Sequence, residues 1–171
     1  MNKLFGYCRI STAQQNIDRQ ERNILEAYEK AHIVKETYTG TKFQGRKELD
    51  KMLKIIKPND TIVFDSVSRM SRNADEGCEL YEDLFNKNVN LVFLKESHIN
   101  TEVYKKAIEQ QITVQLNTGN KATDDFIKGI IEVLNRYTIA LAKEQIRKAF
   151  EQAEKEVKDL QQRTRERNAY S

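Results

Sequence analysis

A chain of 171 residues can bury one core, with room for an appendage. Charged side chains make up 32% of it, yet the formal net charge is only +3, a balance that does not by itself point to nucleic acid, so the placement of the arginines matters more than their total. Cys8 and Cys78 lie in apolar stretches, His32 and His98 belong to no ligand-spaced cluster, and there is no signal peptide or membrane-length apolar run; a disulfide framework, a metal site and a membrane span are all disfavoured, and a soluble, cytoplasmic protein with reduced thiols is expected.

The chain begins with a hydrophobic strand, Leu4–Arg9, that runs into Ile10-Ser11-Thr12 and a polar helix over Gln14–Lys30, with Ile24, Leu25 and Tyr28 on its apolar face. Ile33–Tyr38 is a second strand. A glycine-bearing loop, Thr39-Gly40-Thr41-Lys42-Phe43-Gln44-Gly45-Arg46, leads to a helix over Lys47–Ile56 with Leu49, Met52, Leu53 and Ile56 on one side. Pro58, Asn59 and Asp60 mark a turn before the strand Thr61–Phe64. The loop Asp65–Asn73 precedes a helix over Ala74–Asn86, whose face carries Leu80, Leu84 and Phe85, and a fourth strand, Asn90–Leu94. Its core Leu91-Val92-Phe93-Leu94 does not alternate, as expected of a strand covered on both sides. The alternation predicts an α/β fold with a central, mostly parallel sheet flanked by helices.

The second half differs. Lys95–Thr101 is a predicted loop, Glu102–Thr113 a short helix and Asn117–Lys121 another loop. From Thr123 to about Arg165 apolar residues recur every three or four positions, Ile127, Ile130, Ile131, Leu134, Leu141, Ile146, Phe150 and Leu160 among them, which predicts one helix capped by Thr123 or Asp124. Such a helix is roughly 65 Å long, so it projects from a domain this small, and its stripe needs a partner. A dimer interface at Ile127, Ile131, Leu134 and Leu141 follows, with an arm beyond it that a partner chain or DNA supports. The alternative is two helices, broken near Gly129 or Glu144 and packed back on the domain. The predicted organisation is a domain over residues 1–122, a long helix over 123–168 and a frayed end over 169–171.

Three loops follow predicted strands, and ligands of open α/β sheets gather outside the carboxyl ends of parallel strands. The first loop carries Arg9, Ser11 and Gln15, the second Arg46, and the third Ser68, Arg69 and Arg72. Arg69 and Arg72 are three apart, so on a helical turn they face one side. Taken alone, Ser11 is a helix cap and each arginine a surface charge. Taken together, arginines from three loops around one hydroxyl form a phosphate-sized pocket. Attack on a phosphodiester builds charge on its non-bridging oxygens, and the planar, positively charged guanidinium fork suits them.

These residues resemble the catalytic domain of the serine recombinases, the resolvase/invertase family. The resemblance lies in Tyr7-x-Arg9-Ile10-Ser11-Thr12-x-x-Gln15, Arg19-Gln20, Thr39-Gly40-Thr41, Gly45-Arg46-x-x-Leu49 and Ser68-Arg69-Met70-Ser71-Arg72, with matching spacing between the blocks. It spans roughly residues 3 to 95 and continues along the long helix to Thr164; Phe93-Leu94-Lys95-Glu96 and His98-Ile99-Asn100 are similar to recombinases of mobile elements such as conjugative transposons. The resemblance implies that Ser11 attacks a DNA phosphodiester and forms a 5′-phosphoserine link, without ATP, metal or other cofactor. It implies that Arg9, Arg69 and Arg72 hold the scissile phosphate, that Arg46 helps from a mobile loop, and that Gln15 and Gln20 position it. Thr39 and Ser68 flank the phosphate, and Arg163 and Arg165 contact DNA backbone from the end of the long helix. The implied partners are double-stranded recombination sites and copies of the same chain, as a homodimer and as a tetramer in the synaptic complex.

Several positions depart from the family pattern. Many members carry Asp where Ser68 stands, which leaves the general base unassigned, with Asp65 near in sequence. A lysine of the second helix is replaced by Ile55, with Lys54 beside it; Thr39 stands for the usual serine; and Glu102–Lys121 looks like an insertion. A sequence-reading DNA-binding domain is expected beyond Ser171, which makes this chain a fragment. A catalytically silent DNA-binding dimer of the same fold is the alternative function. A small phosphate-ligand or signalling domain is a further rival, without a Gly-x-x-x-x-Gly-Lys-Ser/Thr motif to support it.

Overall fold

A computed structural model describes residues 1–10, 17–37 and 45–169. Four parallel strands form one sheet in the order β2-β1-β3-β4: β1 Leu4–Ile10, β2 His32–Thr37, β3 Thr61–Phe64 and β4 Asn90–Phe93. Helices α1 Asp18–Ala27, α2 Lys47–Ile55 and α4 Ala74–Asn86 fall between them, with a single turn, α3 Val67–Met70, inside the predicted third loop. After β4 come a 3₁₀ turn at Ser97–Ile99, α5 Thr101–Glu109 and α6 Lys121–Ala169. The α/β class and its parallel sheet are as the alternation predicts. No helix among the described residues is long and apolar enough to cross a membrane.

Strand parity separates two cores, because successive side chains of a strand point to opposite faces. Phe5 and Tyr7 of β1 join Ile62 and Phe64 of β3 in the larger core, closed by Leu49 and Met52 of α2, Tyr81 and Leu84 of α4, and Ile146 and Phe150 of α6. Cys8 and Val63 face the smaller core under Ile24 of α1. Cys8 is buried and Cys78 half-buried, both as free thiols. Gly6 lets α1 approach: a Cβ there would lie 2.7 Å from Ile24 and from Ile33.

The turn at Pro58–Asp60 is present, with Asn59 at φ 70° and the Asp60 carboxylate accepting the Lys57 and Lys3 N–H groups at 2.9 and 2.7 Å. Four local expectations change. α1 ends at Ala27 rather than Lys30, because Tyr28 leaves helical geometry and packs against the smaller core. The predicted loop after β4 contains the 3₁₀ turn. α5 stops at Glu109 rather than Thr113, and the Asn135 side chain clasps the Ile112 backbone through two bonds of 2.9 Å. Arg69 and Arg72 do not share a helical turn, since α3 ends at Met70 and Ser71 is extended.

α6 runs 49 residues without a break at Gly129 or Glu144. Its middle is fixed to the body. Phe150 meets Phe93 edge-on at 6.3 Å between ring centroids, Glu154 accepts the Ala74 N–H at 2.9 Å at the start of α4, and Arg147 pairs with Asp75 at 3.1 Å. Toward its amino end the helix keeps an apolar face in solvent: Leu134 and Leu141 are 44% and 38% exposed, Phe126 and Tyr137 are exposed beside them, and Ile127 and Ile131 are half-buried.

Candidate active site

The strand order reverses direction between β1 and β3, and crevices at such switch points hold the ligands of open α/β sheets. Arg9 and Ile10 lie at the carboxyl end of β1, and Asp65 with the α3 turn follows β3. Arg9 has the parity of Phe5 and Tyr7, so its side chain enters the larger-core side, where it is fully buried. The Gln20 amide clasps its backbone from both sides, accepting from the Arg9 N–H at 3.0 Å and donating to its carbonyl at 2.9 Å. The Arg9 guanidinium donates through Nη2 to the Ser68 carbonyl. Among the described residues, its Nε and Nη1 have no acceptor. Burial, and then the positive charges of Arg46 and Arg72, lower its pKa to about 9.

Arg46 is also fully buried, at the entry to α2, just before the helix as the sequence predicts. Its guanidinium lies 5.1 Å from the centre of the Tyr7 ring and donates to the Tyr7 hydroxyl through Nε at 3.1 Å and Nη2 at 2.8 Å. It also holds the α3 turn, donating to the Arg69 carbonyl at 2.9 Å and to the Met70 carbonyl. The Tyr7 hydroxyl in turn faces Glu36 at 3.5 Å. Glu36 accepts the Glu48 and Leu49 N–H groups at 2.9 and 3.0 Å, so one buried carboxylate both starts α2 and backs Tyr7. Burial, opposed by the Arg46 charge, raises the Tyr7 pKa to about 12, which keeps the phenol protonated.

Arg69 and Arg72 are half-buried and face a cleft of about 820 Å³. Arg72 sits in a tight turn where Ser71 Oγ donates to the Asn73 carbonyl at 2.7 Å and accepts its N–H at 3.0 Å, while the Asn73 side chain caps α4 through the Glu76 N–H at 2.9 Å. Burial lowers the proton affinity of both arginines; the Asp65 charge opposes it at Arg69, and the charges of Arg69 and Arg46 add to it at Arg72. Arg19, Lys95 and Arg165 add positive charge to the same cleft, and Ala153, Val157, Leu160 and Thr164 of α6 form its far wall.

Arg9, Gln20, Arg46, Ser68, Arg69 and Arg72 are thus brought to one sheet edge. They divide into two layers: Arg9 and Arg46 lie behind, gripping carbonyls of the α3 turn, and Arg69 and Arg72 stand in front. Arg163 and Arg165 are both exposed, and of the two Arg165 lines the cleft. Ser11, Gln15 and Thr39 lie outside the described residues. Tyr7 and Glu36 were missed as supports of Arg46, although the shared parity of Tyr7 and Arg9 on β1 was a usable signal. Arg19 and Lys95 were missed as cleft residues.

Residues 4–158 match the family model "Resolvase, N terminal domain". The chain belongs to the resolvase family. Similar resolvases include the transposon Tn1721 resolvase of Escherichia coli, 30% identical over 159 residues that cover 93% of this chain and 79% of the relative. The transposon Tn501 resolvase of Pseudomonas aeruginosa is 29% identical over the same shares of the two chains. Among solved structures, the N-terminal catalytic domain of TP901-1 integrase superposes with a TM-score of 0.51 at 20% identity, covering 82% of this chain and 98% of that one, a likeness of fold. Membership of the resolvase family makes site-specific recombination of the serine type the class of activity of this chain.

Proposed function

We propose that this resolvase-family chain cuts and rejoins DNA through a covalent 5′-phosphoserine at Ser11, in the service of a mobile element. The Ser11 oxygen attacks phosphorus, the Oγ–P bond forms as the P–O3′ bond breaks, and the serine proton passes, in net, to the departing 3′ oxygen. Rejoining is the reverse, and the bond energy kept in the phosphoserine makes ATP unnecessary. Arginines supply the charge that the reaction needs at phosphorus, without a metal. A dimer formed through the exposed face of α6, and a tetramer in the synaptic complex, would bring the strands together.

The observation that carries this reading is Arg9. It is fully buried two residues before Ser11, with Nε and Nη1 lacking an acceptor among the described residues, beside a cleft lined by Arg69 and Arg72. Buried guanidinium donors without partners cost stability unless a ligand uses them, and a phosphate with its several acceptor oxygens is suited to that use. Arg9, Arg69 and Arg72 meet the phosphate, Arg46 holds the α3 turn behind them, and Gln15, Gln20, Thr39 and Ser68 position it. Arg163 and Arg165 meet the DNA backbone farther along the arm.

The test is the complete protein on supercoiled DNA bearing its sites, with chelator present, quenched and examined for protein attached to 5′ ends. The wild type gives the adduct and Ser11→Ala does not. An adduct that survives in Ser11→Ala removes Ser11 from the role of nucleophile. A wild type that binds verified sites and forms no adduct replaces this reading with the silent dimer.

A further inference from the structure

The cleft in front of Arg69 holds one buried carboxylate that the chemistry above does not use. Asp65 follows β3, and its side chain is only 4% exposed. Two parts of the chain converge on it, α1 and the segment after β4. Asn23 of α1 donates to Oδ1 at 2.8 Å, Lys95 Nζ lies 3.7 Å from Oδ2, and the Lys95 backbone N–H donates to the Asp65 carbonyl at 3.1 Å. A carboxylate taken out of water is costly unless well paired, and this pair is long, to a lysine whose side chain is 52% exposed. Asp65 is therefore held in place by the fold more firmly than it is compensated by its ion pair.

Its other charge neighbour is Arg69, which lines the same cleft and whose protonated form the Asp65 charge favours. Arg69 spends one N–H on the Arg9 carbonyl at 3.2 Å, and its Nε has no acceptor among the described residues. Ser68, next to Arg69 in the chain, brings no charge; its Oγ meets Ser66 Oγ at 2.9 Å. Lys95 has three donors, and its long contact with Asp65 leaves it able to reach a second anion from the cleft side. We propose that Asp65 is the positioning carboxylate of this cleft, orienting Arg69 and Lys95 on the DNA phosphate in place of an acid at Ser68. This rests on the recombinase reading.

The experiment measures adduct formation in a single turnover, and DNA affinity separately, for the complete protein. Asp65→Asn keeps the shape and the Asn23 contact. It slows cleavage by about thirtyfold or more while DNA affinity stays within about twofold. Adding Ser68→Asp to that variant returns at least about tenfold of the rate, which a merely structural role would not produce. Wild-type cleavage in Asp65→Asn, or a joint loss of affinity and cleavage that Ser68→Asp does not restore, overturns the proposal. Should Asp65→Asn be unfolded by circular dichroism, Lys95→Gln decides in its place: cleavage several-fold slower in a folded protein supports the pair, and an unchanged rate overturns it. Absence of any wild-type adduct, or its persistence in Ser11→Ala, refutes the recombinase reading and this proposal with it. A normal wild type beside a normal Asp65→Asn refutes this proposal alone.

Discussion

Tyr7→Phe removes one oxygen from the interior and nothing else, which makes its consequence calculable. The hydroxyl accepts two N–H groups of a charged guanidinium, at 3.1 and 2.8 Å. Bonds to charged groups are worth about 1.5–3 kcal/mol each. Nη2 keeps the Arg69 carbonyl at 2.9 Å, so its loss is partial. The Glu36 contact, at 3.5 Å, adds little, and Glu36 retains the Glu48 and Leu49 N–H groups. The aromatic ring remains beneath Arg46, so the cation–π contact persists in the variant. The expected loss is about 2–4 kcal/mol, measured by urea unfolding followed with far-ultraviolet circular dichroism. Because the same guanidinium holds the Arg69 and Met70 carbonyls, adduct formation should also fall at least about tenfold. A loss below about 0.5 kcal/mol together with wild-type cleavage would refute the idea that Tyr7 holds Arg46.

Two further outcomes are expected. Gly77→Ala places a Cβ 2.4 and 2.5 Å from two Phe150 ring carbons, so it should destabilise the fold by about 1–3 kcal/mol despite alanine's better helix propensity. In a Phe150→Ala background, itself about 3–5 kcal/mol less stable, the ring clash is gone and only a 3.0 Å approach to Ser71 Cβ remains, so the Gly77→Ala substitution should cost much less in urea titrations; an undiminished penalty would show that Phe150 is not the source of the strain. DNA cleavage should decline as pH rises through about 9, since Arg9, pushed down by burial and by Arg46 and Arg72, loses the proton that an anion needs. Stability moves the opposite way. The folded state holds Arg9 charged at a cost below that pH, and the cost is relieved as pH climbs toward the higher value of the unfolded chain. A pH–rate profile that stays flat to about pH 10 would show that Arg9 keeps its proton in the DNA complex and would refute this pH dependence.

Elements set by local pattern were legible in the sequence. Thr61–Phe64 and Ala74–Asn86 have the predicted limits because a turn precedes one and Asn73 caps the other. α6 was legible from its long apolar recurrence, although the structure extends it at both ends. The α3 turn is too short to show periodicity, which is why Arg69 and Arg72 were wrongly placed on one helical turn. Arg46 was legible as a residue of the site but not in its surroundings. Nothing local announces that a guanidinium after a glycine loop will be buried, because its acceptors on Tyr7, Arg69 and Met70 lie 39, 23 and 24 residues away in the chain. Lys95 and Asp65 meet for the same kind of reason, across neighbouring strand ends that only the sheet order makes adjacent.

The clamp of α6 at Phe150 gives the helix the mechanics of a lever. From that fulcrum its amino end lies about 43 Å away, while the cleft wall at Val157 and Leu160 is about two or three turns off on the other side. A tilt of about ten degrees around the fulcrum would swing the far end by about 7 Å and the cleft wall by about 2 Å. Displacement at the exposed amino end is thereby geared down to a fine adjustment at the cleft wall, because the two arms of the rod are unequal.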